Sequence, residues 1–163
     1  MDRELQILQE CDHPLVIKFI ESFMYKNQQI IVTSFASGGN LRKIIDEAQN
    51  LTIEEIMNFF SMILISLHYL HARGIIQRDL HPRNILVNAI SPGGFKILQI
   101  TDFGLSKNLK IQENYSQTLA DRTALSYKAP EVFKDEKSST AKVDMWALGI
   151  ILFELTTKKH PIS

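Results

Sequence analysis

The sequence predicts a single domain of the α+β class, and three observations carry that prediction. Its 163 residues are 45% hydrophobic, enough to bury one core. Apolar residues recur at helical spacing in separate stretches along the chain. Between those stretches lie short β-rich runs punctuated by turn residues. There is no internal repeat and no low-complexity linker to divide the chain.

Residues 2–11 place Leu5, Leu8 and Cys11 on one helical stripe, and His13-Pro14 closes that helix because the residue before a proline disfavours the helical region. Two β-rich runs at 15–24 and 29–35 are separated by Lys26-Asn27-Gln28, the pattern of a hairpin. Ser37-Gly38-Gly39 ends the second run, and a short helix follows from Asn40 to about Glu47. Thr52 and Glu55 form a capping box that opens a longer helix. Its apolar face is expected to be Ile53, Ile56, Met57, Phe60, Ile63, Leu64, Leu67 and Leu70, with Gly74 ending it. Ile85 to Val87 and Phe95 to Ile100 are strands around the turn Ser91-Pro92-Gly93-Gly94. After residue 102 a stretch of roughly twenty-five residues has little periodicity, a length characteristic of functional loops. A last helix, from about Ser139 to Thr157, is apolar nearly all round and is therefore expected in the core, with Trp146 as a buried aromatic beside a buried Asp144.

Eighteen basic residues balance eighteen acidic ones, so no global field attracts nucleic acid or an anionic membrane, and an anionic ligand must be held locally. The single cysteine, Cys11, can form no internal disulfide and is read as a small buried hydrophobe. The two most apolar stretches are interrupted by Ser66, His68 and Glu154. The expectation is a soluble, intracellular, cytoplasmic protein.

Gln77-Arg78-Asp79-Leu80-His81-Pro82-Arg83-Asn84 stands directly before one strand of the second hairpin, and Asp102-Phe103-Gly104 directly after the other. Both loops therefore meet at one end of that hairpin. Transfer of a terminal phosphoryl group needs a carboxylate to orient a hydroxyl and accept its proton, and it needs hard oxygen ligands for Mg²⁺. Asp79 suits the first task; Asn84 and Asp102 suit the second.

In these residues the sequence resembles the protein kinase family, whose signature runs H-R-D-L-x-x-x-N, then D-F-G, then A-P-E, the last present as Ala129-Pro130-Glu131. Asp144-Met145-Trp146-Ala147-Leu148-Gly149 is similar to the family's D-x-W-x-x-G, whose aspartate braces the catalytic loop. The resemblance covers the whole chain and implies a two-lobed fold, here partial. Residues 1–36 correspond to a small-lobe remnant and hinge, and 37–163 to a truncated, mainly helical large lobe. It implies ATP and Mg²⁺ as cofactors and a protein hydroxyl as acceptor, with no nucleic acid or membrane partner. It further implies Thr33 at the back of the adenine pocket, Ser34 and Ala36 as hinge residues meeting adenine, Asn40 near the ribose and Leu86 against the nucleotide. Leu8, Phe19 and Phe103 correspond to stacked apolar residues joining the lobes above Gln77. Glu4 corresponds to the carboxylate that pairs with a nucleotide-binding lysine. That lysine and the Gly-rich loop are missing, so the chain is expected to be cut at both ends, weak in nucleotide binding and prone to self-association.

Several residues depart from the family pattern. His81 replaces a lysine that touches the transferring phosphate, and it is carried forward as a catalytic candidate. Gln77 replaces the histidine of H-R-D, and Ala124 falls where a threonine usually bonds the catalytic aspartate, with Thr123 one residue away. Glu131 lacks its usual arginine partner. Tyr115, Ser116, Thr118 and Thr123 are hydroxyls in the expected activation loop. Pro82 favours the Ser/Thr over the Tyr class. The expected function is that of a protein serine/threonine kinase. The alternatives are a pseudokinase acting as a binding or allosteric module, and a small-molecule phosphotransferase of related fold, which would lack Ala129-Pro130-Glu131 and the Asp144 motif.

Overall fold

The structure, a computed structural model, describes residues 3–89, 94–108, 125–134 and 139–162. Tyr115, Ser116, Thr118, Thr123 and Ala124, and most of the Ser91–Gly94 turn, lie outside the described residues.

Helix α1 (Arg3–Glu10) leads into a hairpin of β1 (Phe19–Tyr25) and β2 (Gln28–Thr33). Lys26 and Asn27 turn it, both with positive φ (46° and 60°), the paired left-handed geometry that matches strand twist in a two-residue hairpin. The first run begins as a strand only at Phe19, not at residue 15. Leu15 and Ile17 bond instead to Ile100: the Ile17 amide donates to its carbonyl (2.9 Å), and its amide donates to the Leu15 carbonyl (3.0 Å). These residues thus pin α1 to the second hairpin rather than extending the first.

Helix α2 (Leu41–Glu47) is capped by Asn40, whose Oδ1 accepts the Lys43 amide at 3.1 Å. Helix α3 (Ile53–Ala72) starts with the expected capping box, in which Glu55 donates its amide to Thr52 Oγ1 and accepts the Thr52 amide. Gly74, at φ 79°, follows its end. The face of α3 that enters the core is rotated from the expected one. Phe59, Ile63, Ser66, Leu67 and Leu70 are buried, while Ile53, Met57 and Leu64 are exposed. The exposed stripe lies about one residue, ~100°, round the helix. Packing against both β5 and α5 selects the buried face. By length and composition alone, α3 is the one helix among the described residues that could cross a membrane, but here it supplies core.

Strand β3 (Ile75–Ile76) precedes the catalytic-type loop, which contains a 3₁₀ turn at Pro82–Asn84. Strands β4 (Ile85–Ala89) and β5 (Lys96–Ile100) form the second hairpin, with Ile85 opposite Ile100. Short β6 (Lys107–Asn108) pairs with β3, so both loops are tied at their far ends as well. A short α4 (Pro130–Lys134) and the long α5 (Lys142–Thr157) complete the order.

Helix α5 is only half buried, which corrects the expectation that it lies wholly in the core. Val143, Ala147, Ile151 and Leu155 are buried, whereas Met145, Trp146 and Phe153 are more than 40% exposed. By helical spacing these three lie on the side of the helix opposite its buried stripe. Asp144 is buried as expected; Trp146 beside it is not.

Candidate active site

The backbone of the catalytic-type loop hangs on one side chain. Asp144, on the first turn of α5, is 1% exposed. Its Oδ1 accepts the Arg78 amide at 2.8 Å, and its Oδ2 accepts the Gln77 amide at 2.9 Å and His71 Nε2 at 2.7 Å. Arg78 has φ 65°, a left-handed conformation costing a non-glycine residue roughly 1–2 kcal/mol. A charge-assisted bond from a buried carboxylate offsets a cost of that size.

Gln77 ties this loop to the other. Its Nε2 donates to the carbonyls of Thr101 and Asp102, both at 2.8 Å, and its Oε1 accepts from Ser106 Oγ at 3.2 Å. Asp102 itself has φ 60°. The amide that departs from the family pattern is thus fully used, and it fixes the carbonyl of a residue in an uncommon conformation. Leu8, Phe103 and, partly buried, Phe19 belong to one apolar cluster, as expected. Glu4 is half-buried on α1, and Glu131 is exposed on α4.

Asp79 is nearly enclosed, its side chain 11% exposed. Asn84 Nδ2 donates to its backbone carbonyl (3.1 Å) and to its Oδ2 (3.2 Å). His81 Nε2 stands 3.7 Å from the same Oδ2. His81 Nδ1 accepts the Arg83 amide at 3.3 Å, which leaves the ring proton on Nε2, on the side of Asp79. The three catalytic candidates are therefore in mutual contact. A fourth group was not singled out from the sequence: Lys128 Nζ lies 4.0 Å from Asp79 Oδ1. Its only sequence signal is its place directly before Ala129-Pro130-Glu131.

The metal candidates fit Mg²⁺. Because Asn84 spends its nitrogen on Asp79, its Oδ1 is left as a hard oxygen donor. Asp102 is exposed, and Gly104's amide takes only its Oδ1, at 3.3 Å. The Thr101 amide donates to the Asn84 carbonyl at 3.0 Å, which sets the two loops side by side. Among the described residues no group of three His, Cys, Asp or Glu could hold a metal. Mg²⁺ needs none, since it takes one or two carboxylates or amides plus phosphate and water.

The nucleotide candidates lie on β2, on the segment between β2 and α2, and on β4. Thr33 ends β2 and is half-buried. Ser34 donates its amide to the Lys18 carbonyl at 2.8 Å, and Phe35 is 85% exposed. Beyond Ala36, the Gly38 amide donates to the Val87 carbonyl at 2.8 Å, an approach so close that a Cβ on Gly38 would meet that oxygen at 2.8 Å. Asn40 and Leu86 pair directly as an isolated bridge, with Leu86 packed on the main core. The Asn40 side chain is engaged as the α2 cap.

A fold of this kind with this site defines a protein kinase domain, and the protein kinase domain family model matches residues 1–163, so the chain belongs to that family. Its relatives include serine/threonine-protein kinase nekl-2 of Caenorhabditis elegans, 34% identical over 93% of this chain and 43% of that protein. NUAK family SNF1-like kinase 1 of Homo sapiens is 34% identical over 99% of this chain and 23% of that protein. Among solved structures, the Rad53 kinase domain and SCD2 matches at TM-score 0.78 and 30% identity, over 99% of this chain and 54% of that one. The chain thus spans less than half the length of the curated relatives named here.

Proposed function

We propose that this chain carries the phosphoryl-transfer centre of a protein serine/threonine kinase, using ATP and Mg²⁺ on a protein hydroxyl. The observation that carries the reading is the Asn84–Asp79 pair. One side chain holds the catalytic-type carboxylate through nitrogen and keeps an oxygen for metal, so base and metal are positioned by the same residue. Asp79 would accept the proton of the attacking hydroxyl. Asn84 and Asp102 would hold Mg²⁺, which neutralises charge on the phosphates when bound. Thr33, Ser34, Ala36, Asn40 and Leu86 would line the nucleotide path. The pseudokinase reading gains little support, because Asp79, Asn84 and Asp102 are all present and locally organised. Relatives named as serine/threonine kinases favour serine or threonine as the acceptor. An intracellular location follows from the need for ATP. Incubation of the natural gene product with γ-labelled ATP and a mixed peptide library tests the reading. Label on serine or threonine supports it, and absence of transfer removes it.

A further inference from the structure

We propose that Lys128 is a catalytic residue of this centre, supplying the positive charge that faces the transferring phosphoryl group beside Asp79. The inference rests on the kinase reading above and names a group that reading did not use.

Asp79 Oδ1 is buried and makes no hydrogen bond among the described residues, while Oδ2 is taken by Asn84. A bare carboxylate oxygen in an enclosed place costs free energy unless a charge or an incoming donor answers it. The Lys128 ammonium stands 4.0 Å from it, close enough to attract it but too far to hydrogen-bond. The lone pairs of that oxygen are therefore not spent on Lys128.

Lys128 is also held in place. Its side chain is only 14% exposed, although a lysine on a surface turn ordinarily extends into water. Its neighbours Tyr127 and Ala129 are 4% and 1% exposed, and the Lys128 amide donates to the Leu125 carbonyl at 3.2 Å. Tyr127 OH donates to the buried Glu154 at 2.5 Å, and Glu154 in turn accepts from Arg42 Nη1 at 2.8 Å. The segment is thereby bolted to α5 and α2. Arg78, Asp79 and Leu80 share one small cleft with Tyr127, Lys128 and Ala129.

The chemistry asks for such a cation. The hydroxyl oxygen bonds to the γ-phosphorus as its proton passes to Asp79. The bond from that phosphorus to the β,γ-bridging oxygen breaks, and ADP leaves with the electron pair. An anionic base must thus work against an anionic phosphate, and a fixed cation beside that base lowers the repulsion in the transition state. His81 is poorly placed to be that cation, because its Nδ1 is engaged with the Arg83 amide and its Nε2 faces Oδ2, the oxygen already held by Asn84, at 3.7 Å.

The test uses the natural gene product. Lys128→Met is expected to lower kcat about 100-fold with little change in KM for ATP. Lys128→Cys treated with bromoethylamine, which rebuilds an ammonium at nearly the same reach, is expected to recover most of the rate; Cys11, buried, should not compete. Independently of turnover, acylation of Lys128, mapped by mass spectrometry, should be suppressed by Mg²⁺·ADP with aluminium fluoride. An unchanged kcat in Lys128→Met, a rise confined to peptide KM, or undiminished acylation with the analogue bound would each overturn the proposal. Protection of Lys128 in a protein that transfers no phosphoryl group would keep the contact and remove the kinase reading instead.

Discussion

Asn84 grips Asp79 twice, through its backbone carbonyl and its carboxylate, with a single side-chain nitrogen. Because Asn84 is 8% exposed, removing that nitrogen leaves two oxygens of Asp79 short of a donor. Asn84→Ala should cost about 1–3 kcal/mol in stability, read from the urea midpoint, and should abolish Mg²⁺-dependent transfer. Asn84→Asp should restore the metal oxygen but set two carboxylates side by side, so transfer should stay low. Wild-type stability in Asn84→Ala would show that the pair contributes nothing to the loop.

Asp144→Ala should be more damaging. It strands two backbone amides and the His71 ring in a buried place and releases Arg78 from its left-handed conformation. Breaking a buried hydrogen-bonded charge network costs about 3–5 kcal/mol. The expected result is a protein unfolded or non-cooperative at 37 °C by circular dichroism. A cooperative melt within a few degrees of wild type would show that the loop needs no brace.

His13 gives the fold a pH dependence. It stacks on Tyr69 with ring centroids 4.5 Å apart, and its Nδ1 accepts the Leu15 amide. Burial, and then the nearby Arg73 guanidinium, hold its pKa below the usual histidine value. The unfolded chain therefore takes up the proton first as the medium is acidified. The His13 contribution is complete above about pH 6.5 and is lost as pH falls from there through the folded-state value. Urea midpoints at pH 7.5 and 5.5 should differ less in His13→Gln than in wild type. Equal differences would remove His13 from the acid response.

Cys11 is buried in the core beside α1, and burial pushes its thiol up to about 11. At pH 8 it should react with iodoacetamide far more slowly in the native protein than in urea, since the thiolate is the nucleophile. Comparable rates would mean that this end of the core opens readily.

The sequence made the site more legible than the packing around it. The order of Asp79, Asn84, Asp102 and Asp144 announces itself because chemistry fixes both residue type and spacing, and the capping box at Thr52 is written in two side chains three positions apart. The core face of α3 is not legible in the sequence because Ile53, Met57 and Leu64 are apolar yet lie one step round from the surface that β5 and α5 cover. Trp146 reads as buried from the sequence for the same reason, hydrophobicity being visible where the partner element is not. Leu15 to Ile17 look like the start of a strand, and only tertiary contact with Ile100 shows that they pair elsewhere. Lys128 was invisible as a site residue because its approach to Asp79 crosses 49 positions of sequence and depends on how Tyr127 is anchored.

Asp79 is the proposed proton acceptor of a phosphoryl transfer, and every other assignment at the site depends on it. Its most direct test is kcat for Asp79→Asn in the natural gene product, with the melting temperature and Mg²⁺·ATP binding of the same preparation measured beside it. The substitution removes a carboxylate and almost no volume, so fold and nucleotide binding should persist while kcat falls at least about 100-fold. Turnover equal to wild type in a correctly folded Asp79→Asn protein would contradict the account.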